Sequence, residues 1–516
     1  MTFWTPDNLR ISTGGTWLVR PPSIELPKDR PADLPLPPLY APILGLSTDT
    51  RSIKPGQCFL ALKGEAFDGH GFLEAAARAG APVLIVADAG VLPAGGFEPA
   101  CGVLKVEDTG RALLKIAAAY RASLKRTKVI AVCGSNGKTT TTRLIEHVLG
   151  QSMRGTASRK SFNNSVGVPL TICSARENDQ YLICEVGTNA PGEIALLGDV
   201  VRPDIAVITS IGREHLEKLG DLAGVAAEEA AILKSLKPGG WAIVTADAPE
   251  LAEHVRGIKN LITFGRSDRA TLRLTDARHV LEGDTPRLAF TINGRQACSV
   301  PLVGEHNALN AIAALAVARR LGIDEAKAAQ ALAGAGGAEM RLQTCRVGGV
   351  TVLNDAYNAN PDSMIAGIDA ALALRKAGLG SAAGRTVLVL GEMLELGAAA
   401  EAGHRGVARH VDLKNRSGEP VDLVVLVGAG MRAAQDELVR AGWTRERLAY
   451  VPELSVNAAA DVAGLLVAGD LVLVKGSRRV RLERVVEALG EADDDEGSGA
   501  EGSGEVQGAG AGLAKG

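Results

Sequence analysis

Residues 128–149, KVIAVCGSNGKTTTTRLIEHVL, form the stretch that decides the fold of the chain. An apolar, β-branched run up to Val132 stops at a turn with Gly134 and Gly137, and a helical pattern of apolar residues follows. This pattern predicts a strand, a glycine turn and a helix. Because backbone N–H groups converge at a helix N-terminus and the helix dipole adds positive potential there, the junction favours a bound phosphate.

The residues after the turn match the chemistry of a nucleotide site. Lys138 is expected to reach the terminal phosphates, and the Thr139 hydroxyl is expected to bind a magnesium ion. The usual P-loop spacing has a further glycine where this chain has Val132, so a purely structural strand-to-helix turn is the alternative interpretation. The residues predicted to bind the nucleotide here are Gly134, Ser135, Asn136, Gly137, Lys138, Thr139 and Thr140.

The composition is that of an ordinary globular protein with several domains. At 516 residues the chain exceeds what one hydrophobic core holds, and about three domains are expected. It has 46% hydrophobic and 22% charged residues and a formal net charge of -3, so no charge imbalance indicates a nucleic-acid partner or a membrane surface. The N-terminus has no signal-peptide pattern, and no window reaches the roughly 18 uninterrupted apolar residues of a membrane helix. We expect a cytoplasmic protein, monomeric and not inserted in a membrane.

Cysteine and glycine usage indicates a reduced α/β protein. Seven cysteines occur without any Cys-x-x-Cys pair, which argues against a disulfide framework and against a structural zinc site. We expect them to be reduced and mostly buried. Aromatic residues make up only 3% of the chain and 61 glycines accompany many alanines, so aliphatic side chains must form the core. Such usage fits an α/β architecture.

Two polar side chains follow further apolar strands of the same region. Glu185 lies in the run 181–187, YLICEVG, and His215 follows the apolar run 204–211. A buried carboxylate needs a cation, a hydrogen-bond donor or a metal. In doubly wound sheets the ligand crevice lies beyond the carboxyl ends of the strands, so Thr139, Glu185 and His215 are expected to converge around magnesium. The alternative for His215 is that it only caps a turn.

Four segments are predicted along the chain. Residues 1–106 form a small α/β unit, and residues 107–339 form a domain around the glycine turn. Residues 340–490 repeat strand-then-helix patterns, which indicates a second, mostly parallel sheet. The acidic and glycine-rich residues 491–516 lack apolar periodicity and are expected to be disordered.

The first segment carries polar residues at its predicted turns. They are Asp49, Arg51, Asp68 and His70. Because ligand contacts are commonly placed on such loops, these residues are candidates for substrate binding. The alternative is that the two aspartates simply build turns and helix caps.

Short motifs occur in one order along the chain. They are GSNGKTT (134–140), NN-x-x-GVP (163–169), Glu185, His215, GEHNALN (304–310), YNANPDS (357–363), LGEMLELG (390–397) and KGSR (475–478). In this combination the chain resembles the Mur ligase family of ATP-dependent amide-forming ligases, over residues 1–490. The motifs STDTR (47–51) and DGH (68–70) resemble the uridine-nucleotide domain of that family. The form YNANP, without a DNPR-like segment, favours the branch of the family that adds a dipeptide.

The resemblance implies a fold and an activity. The expected fold is α/β in three domains: a small UDP-substrate domain, a central P-loop ATPase-type domain with a mostly parallel sheet, and a C-terminal Rossmann-like domain. The implied activity is the addition of D-alanyl-D-alanine to UDP-N-acetylmuramoyl-tripeptide through an acyl phosphate, in peptidoglycan precursor synthesis. ATP and Mg²⁺ are the implied cofactors. The alternatives are a Mur-type ligase that adds a different amino acid, and a nucleotide-binding homologue with impaired catalysis.

The resemblance also implies roles for individual residues. Asn310 would contact adenine, Arg341 the phosphates and Asp355 the nucleotide, with Tyr357 and Asn358 in the same cleft. Because these residues lie in different predicted domains, domain closure is expected to assemble the site. The residues expected to bind the UDP-linked and peptide substrates are Ser47, Thr48, Asp49, Arg51, Asp68, His70, Asn163, Asn164, Asn360 and Lys475. The expected catalytic residues are Lys138, Glu185, His215, Glu229 and Arg341.

One position departs from the family pattern. Many members carry, on the helix after the metal histidine, a lysine that reacts with CO₂ to give a magnesium-binding carbamate, and this chain has Glu229 there. A carboxylate keeps the negative charge and the oxygen ligands, so Glu229 is expected to bind the metal directly or through water. The alternative is that Glu229 is a solvated helix residue and that the second metal site is weakened. The expected metal ligands are Thr139, Glu185, His215 and Glu229.

Overall fold

Short apolar runs form the strands of three sheets. The computed structural model describes residues 2–21, 43–64, 67–90, 93, 96–98, 100–159 and 161–498. Within these residues the strands form a five-stranded, a nine-stranded and a six-stranded sheet, which confirms the predicted α/β fold class with three sheet-containing regions.

The contacts within the chain divide it into two compact units. The first comprises Met1–Arg278, Ala289–Pro301 and His306–Gly336. The second comprises His279–Leu288, Leu302–Glu305 and Gly337–Gly516. The predicted domain boundaries after residues 106, 339 and 490 stay predictions.

The first sheet lies in the N-terminal part of the first unit. In spatial order its strands are β1 (Thr16–Val19), β5 (Gly102–Lys105), β4 (Val83–Val86), β3 (Cys58–Leu60) and β2 (Leu46–Ser47). Strand β1 is antiparallel to β5, and the other neighbours are parallel. Strand β4 is buried along its whole length, as expected for an apolar strand covered on both faces. The helices of this region are α1 (Pro6–Thr13), α2 (Leu73–Arg78) and α3 (Thr109–Ser123).

The second sheet contains the predicted strand and glycine turn. In spatial order its strands are β14 (Gln296–Val300), β13 (Thr285–Ile292), β12 (Leu272–Glu282), β11 (Leu261–Gly265), β10 (Trp241–Thr245), β9 (Ile205–Ile208), β6 (Lys128–Cys133), β8 (Tyr181–Glu185) and β7 (Gly155–Ala157). The helices of this part of the chain are α4 (Lys138–Gly150), α5 (Gly167–Ser174), α6 (Glu193–Val201), α7 (Leu216–Leu219), α8 (Leu222–Ala230), α9 (His306–Arg320) and α10 (Glu325–Leu332).

Parallel pairing in this sheet brings several strand ends to one edge. Strand β6 lies between β8 and β9, with Val132 opposite Glu185 and Cys133 opposite Ile208. The glycine turn, Glu185 and the segment after β9 therefore share the edge at which ligands bind in doubly wound sheets. This arrangement confirms the predicted strand, turn and helix, and the predicted position of Glu185 at a strand end.

The third sheet lies in the second unit. In spatial order its strands are β15 (Gln343–Val347), β16 (Val350–Asp355), β20 (Leu471–Lys475), β17 (Thr386–Gly391), β18 (Leu423–Val427) and β19 (Leu448–Val451). Strand β15 is antiparallel to β16, and the other neighbours are parallel, as predicted. Asp355 and Lys475 face each other at the carboxyl ends of β16 and β20. The helices are α11 (Pro361–Lys376), α12 (Ala400–Arg416), α13 (Arg432–Arg440), α14 (Val456–Ala463) and α15 (Glu483–Ser498).

The ends of helices α8 and α15 add local detail. Helix α8 is followed directly by a 3-10 turn, Ala231–Ser235. Helix α15 runs from Glu483 to Ser498, so its last residues belong to the segment predicted to be disordered, and that disorder stays a prediction. Residues 499–516 of the predicted disordered tail lie outside the described residues.

Two composition-based expectations are also checked by the structure. All seven cysteines are free and six of them are buried, as predicted. Within the described part of the chain, no helix is both long and apolar enough to cross a membrane.

Candidate functional site

The turn between β6 and α4 has the backbone shape of a phosphate-binding loop. Gly134 and Gly137 have φ values of 114° and 85°, in the region that favours glycine. A Cβ atom at Gly134 would clash with Thr209, and one at Gly137 would clash with the Asn310 amide. Only glycine therefore fits at both positions. Helix α4 begins at Lys138, so its N-terminus opens directly onto the loop.

Hydrogen bonds to the segment after β9 hold the loop in place. Ser135 N donates to Ser210 O at 2.9 Å, and Asn136 N donates to Ser210 Oγ at 2.8 Å. The Thr209 hydroxyl donates to the Asn136 carbonyl at 2.6 Å. Sequence reasoning missed Thr209 and Ser210, although they are the polar residues that end the apolar run 204–211. The loop is thus fixed by the protein itself, as a preorganised binding site requires.

The Lys138 side chain folds back over the loop that precedes it. Its ammonium donates to the carbonyls of Gly134 at 2.5 Å and Ser135 at 3.2 Å, and lies 3.8 Å from Glu214 Oε2. Only 16% of the side chain is exposed, so the loop holds a cation with little water around it. In such low-dielectric surroundings a cation attracts phosphate oxygens strongly. Thr140 follows in the first turn of α4 and is half-buried.

Glu229, on α8, is fully buried and contacts the loop. Its Oε2 accepts a hydrogen bond from Gly134 N at 2.7 Å, and its exposure is 0%. The alternative of a solvated helix residue is therefore wrong. Among the residues that the structure describes, its other oxygen, Oε1, has no hydrogen-bond partner. Glu229 thus anchors the phosphate loop with one oxygen, and its second oxygen is buried beside the loop.

A second buried acid, Glu214, lies close to both Lys138 and Glu229. Burial raises the pKa of Glu229 to about 7, Lys138 opposes this rise, and the Glu214 carboxylate adds to it. Burial also raises the pKa of Glu214, against the effects of Lys138 and His215. Because two carboxyls that share a buried site do not both ionise easily, they retain a proton closer to neutral pH than exposed acids do. Sequence reasoning missed Glu214, although it directly precedes His215 in the GREH turn.

Glu185 and Asn163, both predicted site residues, are in contact. Glu185 is 1% exposed, and its Oε1 accepts a hydrogen bond from Asn163 Nδ2 at 3.0 Å. Asn164 has a different local role, because its side chain accepts from the N–H groups of Val166 and Gly167 at 3.1 and 2.9 Å. Asn163 therefore orients a buried carboxylate, and Asn164 fixes the turn that precedes α5.

Thr139 and His215 lie at the predicted edge of the sheet. The Thr139 hydroxyl is 3.4 Å from the Ser161 hydroxyl. His215 precedes α7 with a φ of 48°, and its Nε2 lies 4.0 Å from Glu214 Oε2, so it begins a helix and also faces an acid. Within the described ranges, no group of three or more His, Cys, Asp or Glu side chains is close enough to hold a metal ion. Magnesium usually takes few protein ligands and keeps several water or phosphate oxygens, and the predicted site of Thr139, Glu185, His215 and Glu229 stays a prediction.

Asn310 packs against the first turn of α4. It is 6% exposed, and its Oδ1 accepts from the Thr141 hydroxyl at 3.2 Å. Its Nδ2 donates to Asn307 Oδ1 at 2.8 Å. Both ends of the amide are thus engaged within the protein. The predicted contact of Asn310 with adenine stays a prediction.

In the first sheet, the residues of the STDTR motif form an exposed turn. Arg51 pairs with Asp49 through Nε and Nη2, at 2.9 and 2.7 Å. These hydrogen bonds from Arg51 lower the pKa of Asp49 to about 2. The Ser47 hydroxyl donates to the Asp49 carbonyl at 3.2 Å, and Thr48 between them is half-buried.

Asp68 and His70 form a second turn. Asp68 caps the 3-10 turn Gly69–Phe72 by accepting from His70 N, and His70 Nδ1 lies 2.6 Å from the same carboxylate. His70 Nε2 accepts from Ala87 N at 3.0 Å, so both ring nitrogens are engaged. The structure thus gives these residues the turn-building role that was the alternative interpretation. Their predicted substrate contacts stay predictions.

In the second unit, Lys475 and Asp355 form a buried ion pair. Lys475 Nζ lies 2.7 Å from Asp355 Oδ2 and also donates to the Asn358 carbonyl at 3.0 Å. With Lys475 only 2% exposed, its ammonium is engaged inside the protein. Asn360 caps α11, because its side chain accepts from Ser363 N at 2.8 Å. The predicted substrate contacts of Lys475 and Asn360 stay predictions.

Arg341 and Tyr357, both predicted to lie at the nucleotide, are in contact. The Arg341 guanidinium carbon lies 4.2 Å from the centre of the Tyr357 ring. A cation over an aromatic face is attracted by the ring quadrupole, so this contact restricts where Arg341 points.

The fold and the loop together define a class of protein. A mostly parallel α/β sheet carries, at the carboxyl end of β6, a glycine loop with a half-buried lysine and buried acids beside it. This is the architecture of a phosphate-binding, nucleotide-dependent α/β protein.

Comparison with known proteins makes the class more specific. The Mur ligase family, catalytic domain, matches residues 42–121, the Mur ligase middle domain matches residues 132–318, and the Mur ligase, glutamate ligase domain, matches residues 340–478. A relative from Bacillus subtilis (strain 168), named UDP-N-acetylmuramoyl-tripeptide–D-alanyl-D-alanine ligase, is 36% identical over 452 residues, which is 87% of this chain and 93% of the relative. The protein of the same name from Escherichia coli (strain K12) is 32% identical, over 86% of this chain and 93% of its own. The chain belongs to the Mur ligase family.

Solved structures agree with this assignment. The crystal structure of MurF from Acinetobacter baumannii has a TM-score of 0.77 and 28% sequence identity, over 95% of this chain and 99% of that one. The MurF ligase from Thermotoga maritima, in complex with ADP, has a TM-score of 0.72 and 25% identity, over 88% of this chain and 99% of that one. Within the family, the similarity is therefore to MurF.

Proposed function

We propose that the chain joins D-alanyl-D-alanine to UDP-N-acetylmuramoyl-tripeptide in an ATP-dependent reaction of peptidoglycan precursor synthesis. The observation that carries the proposal is the phosphate loop, where the half-buried Lys138 ammonium and the N-terminus of α4 meet. The choice of substrates is supported by the similarity to ligases of that name over 87% of the chain. The proposed location is the cytoplasm, where UDP-linked precursors and ATP are available.

The proposed reaction has two steps. A carboxylate oxygen of the tripeptide attacks the γ-phosphorus of ATP, which gives an acyl phosphate and ADP. The amine of D-alanyl-D-alanine then attacks the acyl carbon and loses a proton, and phosphate leaves as the amide forms. Lys138 and the loop N–H groups neutralise the charge on the transferred phosphoryl group. Arg341 is proposed to contact the same phosphates.

The residues that would hold magnesium are proposed to be Thr139, Glu185, His215 and Glu229. When bound, the ion neutralises phosphate charge and orients the reacting oxygens. Asn163 fixes the orientation of the Glu185 carboxylate through a hydrogen bond of 3.0 Å. Glu229 offers Oε1, while its Oε2 holds Gly134 N at 2.7 Å. In this arrangement the carboxylate that replaces the family lysine both shapes the loop and presents an oxygen.

Phosphate release from ATP tests the proposal. The protein is assayed with UDP-N-acetylmuramoyl-tripeptide and, in separate reactions, D-alanyl-D-alanine, D-alanine, L-lysine and diaminopimelate. Release that requires both the tripeptide and D-alanyl-D-alanine is expected. Release with a single amino acid instead would favour the alternative of a different Mur-type ligase. ATP binding without release in any reaction would favour the impaired homologue, and Lys138→Met serves as the background control.

A further inference from the structure

A buried ion pair at the carboxyl ends of β16 and β20 connects three segments of the second unit. Lys475 Nζ lies 2.7 Å from Asp355 Oδ2 and donates to Asn358 O at 3.0 Å. The other carboxylate oxygen, Asp355 Oδ1, accepts from Leu342 N at 3.2 Å. Lys475 is thereby connected, through Asp355, to the turn that contains Arg341.

The backbone on both sides of Arg341 is strained. Met340 and Leu342 have φ values of 52° and 49°, which residues other than glycine rarely adopt. Such a conformation persists only where the surrounding structure holds it. Tyr357 N donates to Met340 O at 3.4 Å on one side, and Asp355 holds Leu342 N on the other. The strained turn therefore depends on the segment that Lys475 supports.

The ion pair is enclosed by helix α11. A Cβ atom at Gly367 would lie 3.1 Å from Lys475 Cδ and 3.6 Å from Asp355 Oδ2. The side-chain exposures are 3% for Lys475 and 12% for Asp355. Because the helix packs so closely, the Lys475 ammonium is directed to Asp355 and Asn358. Removing the Lys475 ammonium would leave the buried Asp355 carboxylate without its cation. The carboxylate would then no longer be held in one orientation.

We propose that Lys475 is a positioning residue for the ligase reaction, which acts through Asp355 to hold the strained turn that presents Arg341. The inference rests on the proposed function, in which Arg341 contacts the phosphates of ATP. A displacement of about 1 Å in such a contact lowers a rate by on the order of a hundredfold. Loss of Lys475 therefore lowers kcat/KM for ATP. This decrease occurs only in a protein that still has Arg341.

A second ion pair in the same sheet provides a matched control. Arg385 and Asp470 immediately precede β17 and β20, with Nη2 and Oδ2 2.7 Å apart and Asp470 fully buried. This pair lies at the amino end of β20, whereas Lys475 lies at its carboxyl end. Breaking it weakens the same sheet without touching the turn at Arg341.

Steady-state kinetics with ATP as the varied substrate test the inference, on Lys475→Met, Arg385→Met and the wild-type protein. Each protein is assayed well below its own measured melting temperature. For Lys475→Met, kcat/KM for ATP is expected to fall by about ten- to a hundredfold. Arg385→Met is expected to lower the melting temperature and to keep kcat/KM within about twofold of wild type, since distant sites act independently.

Lys475→Met is also measured in a protein that carries Arg341→Ala. There Lys475→Met is expected to change kcat/KM by less than about twofold, because coupled residues are non-additive. Equal kinetics of Lys475→Met and Arg385→Met, or a full effect of Lys475→Met without Arg341, would overturn the positioning role. If Lys475→Met does not fold, Lys475→Arg, which displaces the cation, replaces it with the same expected outcomes. A wild-type protein that releases no phosphate from ATP would instead overturn the proposed function.

Discussion

Replacing Glu229 by glutamine is expected to make the protein more stable at alkaline pH and to leave its stability at acid pH unchanged. In the folded protein, burial raises the pKa of Glu229 from 4.5 to about 7. Between these two values the folded protein keeps a proton that the unfolded chain has lost. The free energy of unfolding therefore falls as the pH rises through this window. At about 1.4 kcal/mol per pKa unit, the shift corresponds to about 3 kcal/mol.

The geometry of the site makes glutamine a suitable replacement. Its Oε1 can accept from Gly134 N, as Glu229 Oε2 does at 2.7 Å, and its NH₂ group takes the position of the open Oε1. Glu228→Gln is the matched control on the same helix. Glu228 accepts from Gly192 N and Ile194 N, both at 2.8 Å, with a different oxygen for each. An amide NH₂ would face one of these donors, so Glu228→Gln should be less stable than wild type at every pH.

Thermal unfolding followed by circular dichroism measures the effect, from about pH 4 to about pH 8, in EDTA and without nucleotide. Near pH 4, below both pKa values, the midpoints of Glu229→Gln and wild type should agree. Near pH 8 the variant should melt roughly 5 to 10 °C higher, since about 1 kcal/mol shifts the midpoint of a large domain by about 2–4 °C. A midpoint difference that stays constant across this range would refute the assignment of a buried, proton-holding Glu229.

Lys138→Met removes the half-buried cation of the loop, so kcat/KM for ATP, measured by coupled ADP release, should fall by at least about a hundredfold. A loss below about tenfold would argue against a phosphate contact. Asn163→Ala removes the donor 3.0 Å from Glu185 Oε1, and the magnesium concentration for half-maximal activity should rise about tenfold. An unchanged magnesium titration would argue against Glu185 as a ligand that Asn163 orients. Gly137→Ala places a Cβ atom against a neighbouring amide at a φ of 85°, so the melting temperature should fall by roughly 5 °C or more. Gly14→Ala, at a φ of 73° with nothing within 4 Å, is its control and should cost less.

The fold class and the edge of the site follow from local patterns in the sequence. The apolar run of β6 predicts a strand. The glycines after it predict a turn, because glycine is the residue that adopts the required positive φ values. Glu185 could be placed at the same edge because parallel strands end together, and the register of Val132 opposite Glu185 confirms this.

Contacts between distant segments could not be read from the sequence. The hydrogen bond from Gly134 N to Glu229 joins residues far apart in the chain, and it depends on which face of α8 turns inward. A glutamate in an alanine-rich helix has no sequence pattern that distinguishes a buried anchor from a solvated residue. The same limit applies to Lys475, whose partner Asp355 lies on a strand that precedes it by more than a hundred residues.

Isotope transfer from the tripeptide to phosphate tests the central claim most directly. UDP-N-acetylmuramoyl-tripeptide labelled with ¹⁸O in its terminal carboxylate is incubated with the protein, ATP, magnesium and D-alanyl-D-alanine, and the released phosphate is analysed by mass spectrometry. If the carboxylate attacks ATP to form an acyl phosphate, each released phosphate should carry one ¹⁸O atom from the tripeptide. Phosphate without ¹⁸O, released together with the amide product or without it, would contradict the account.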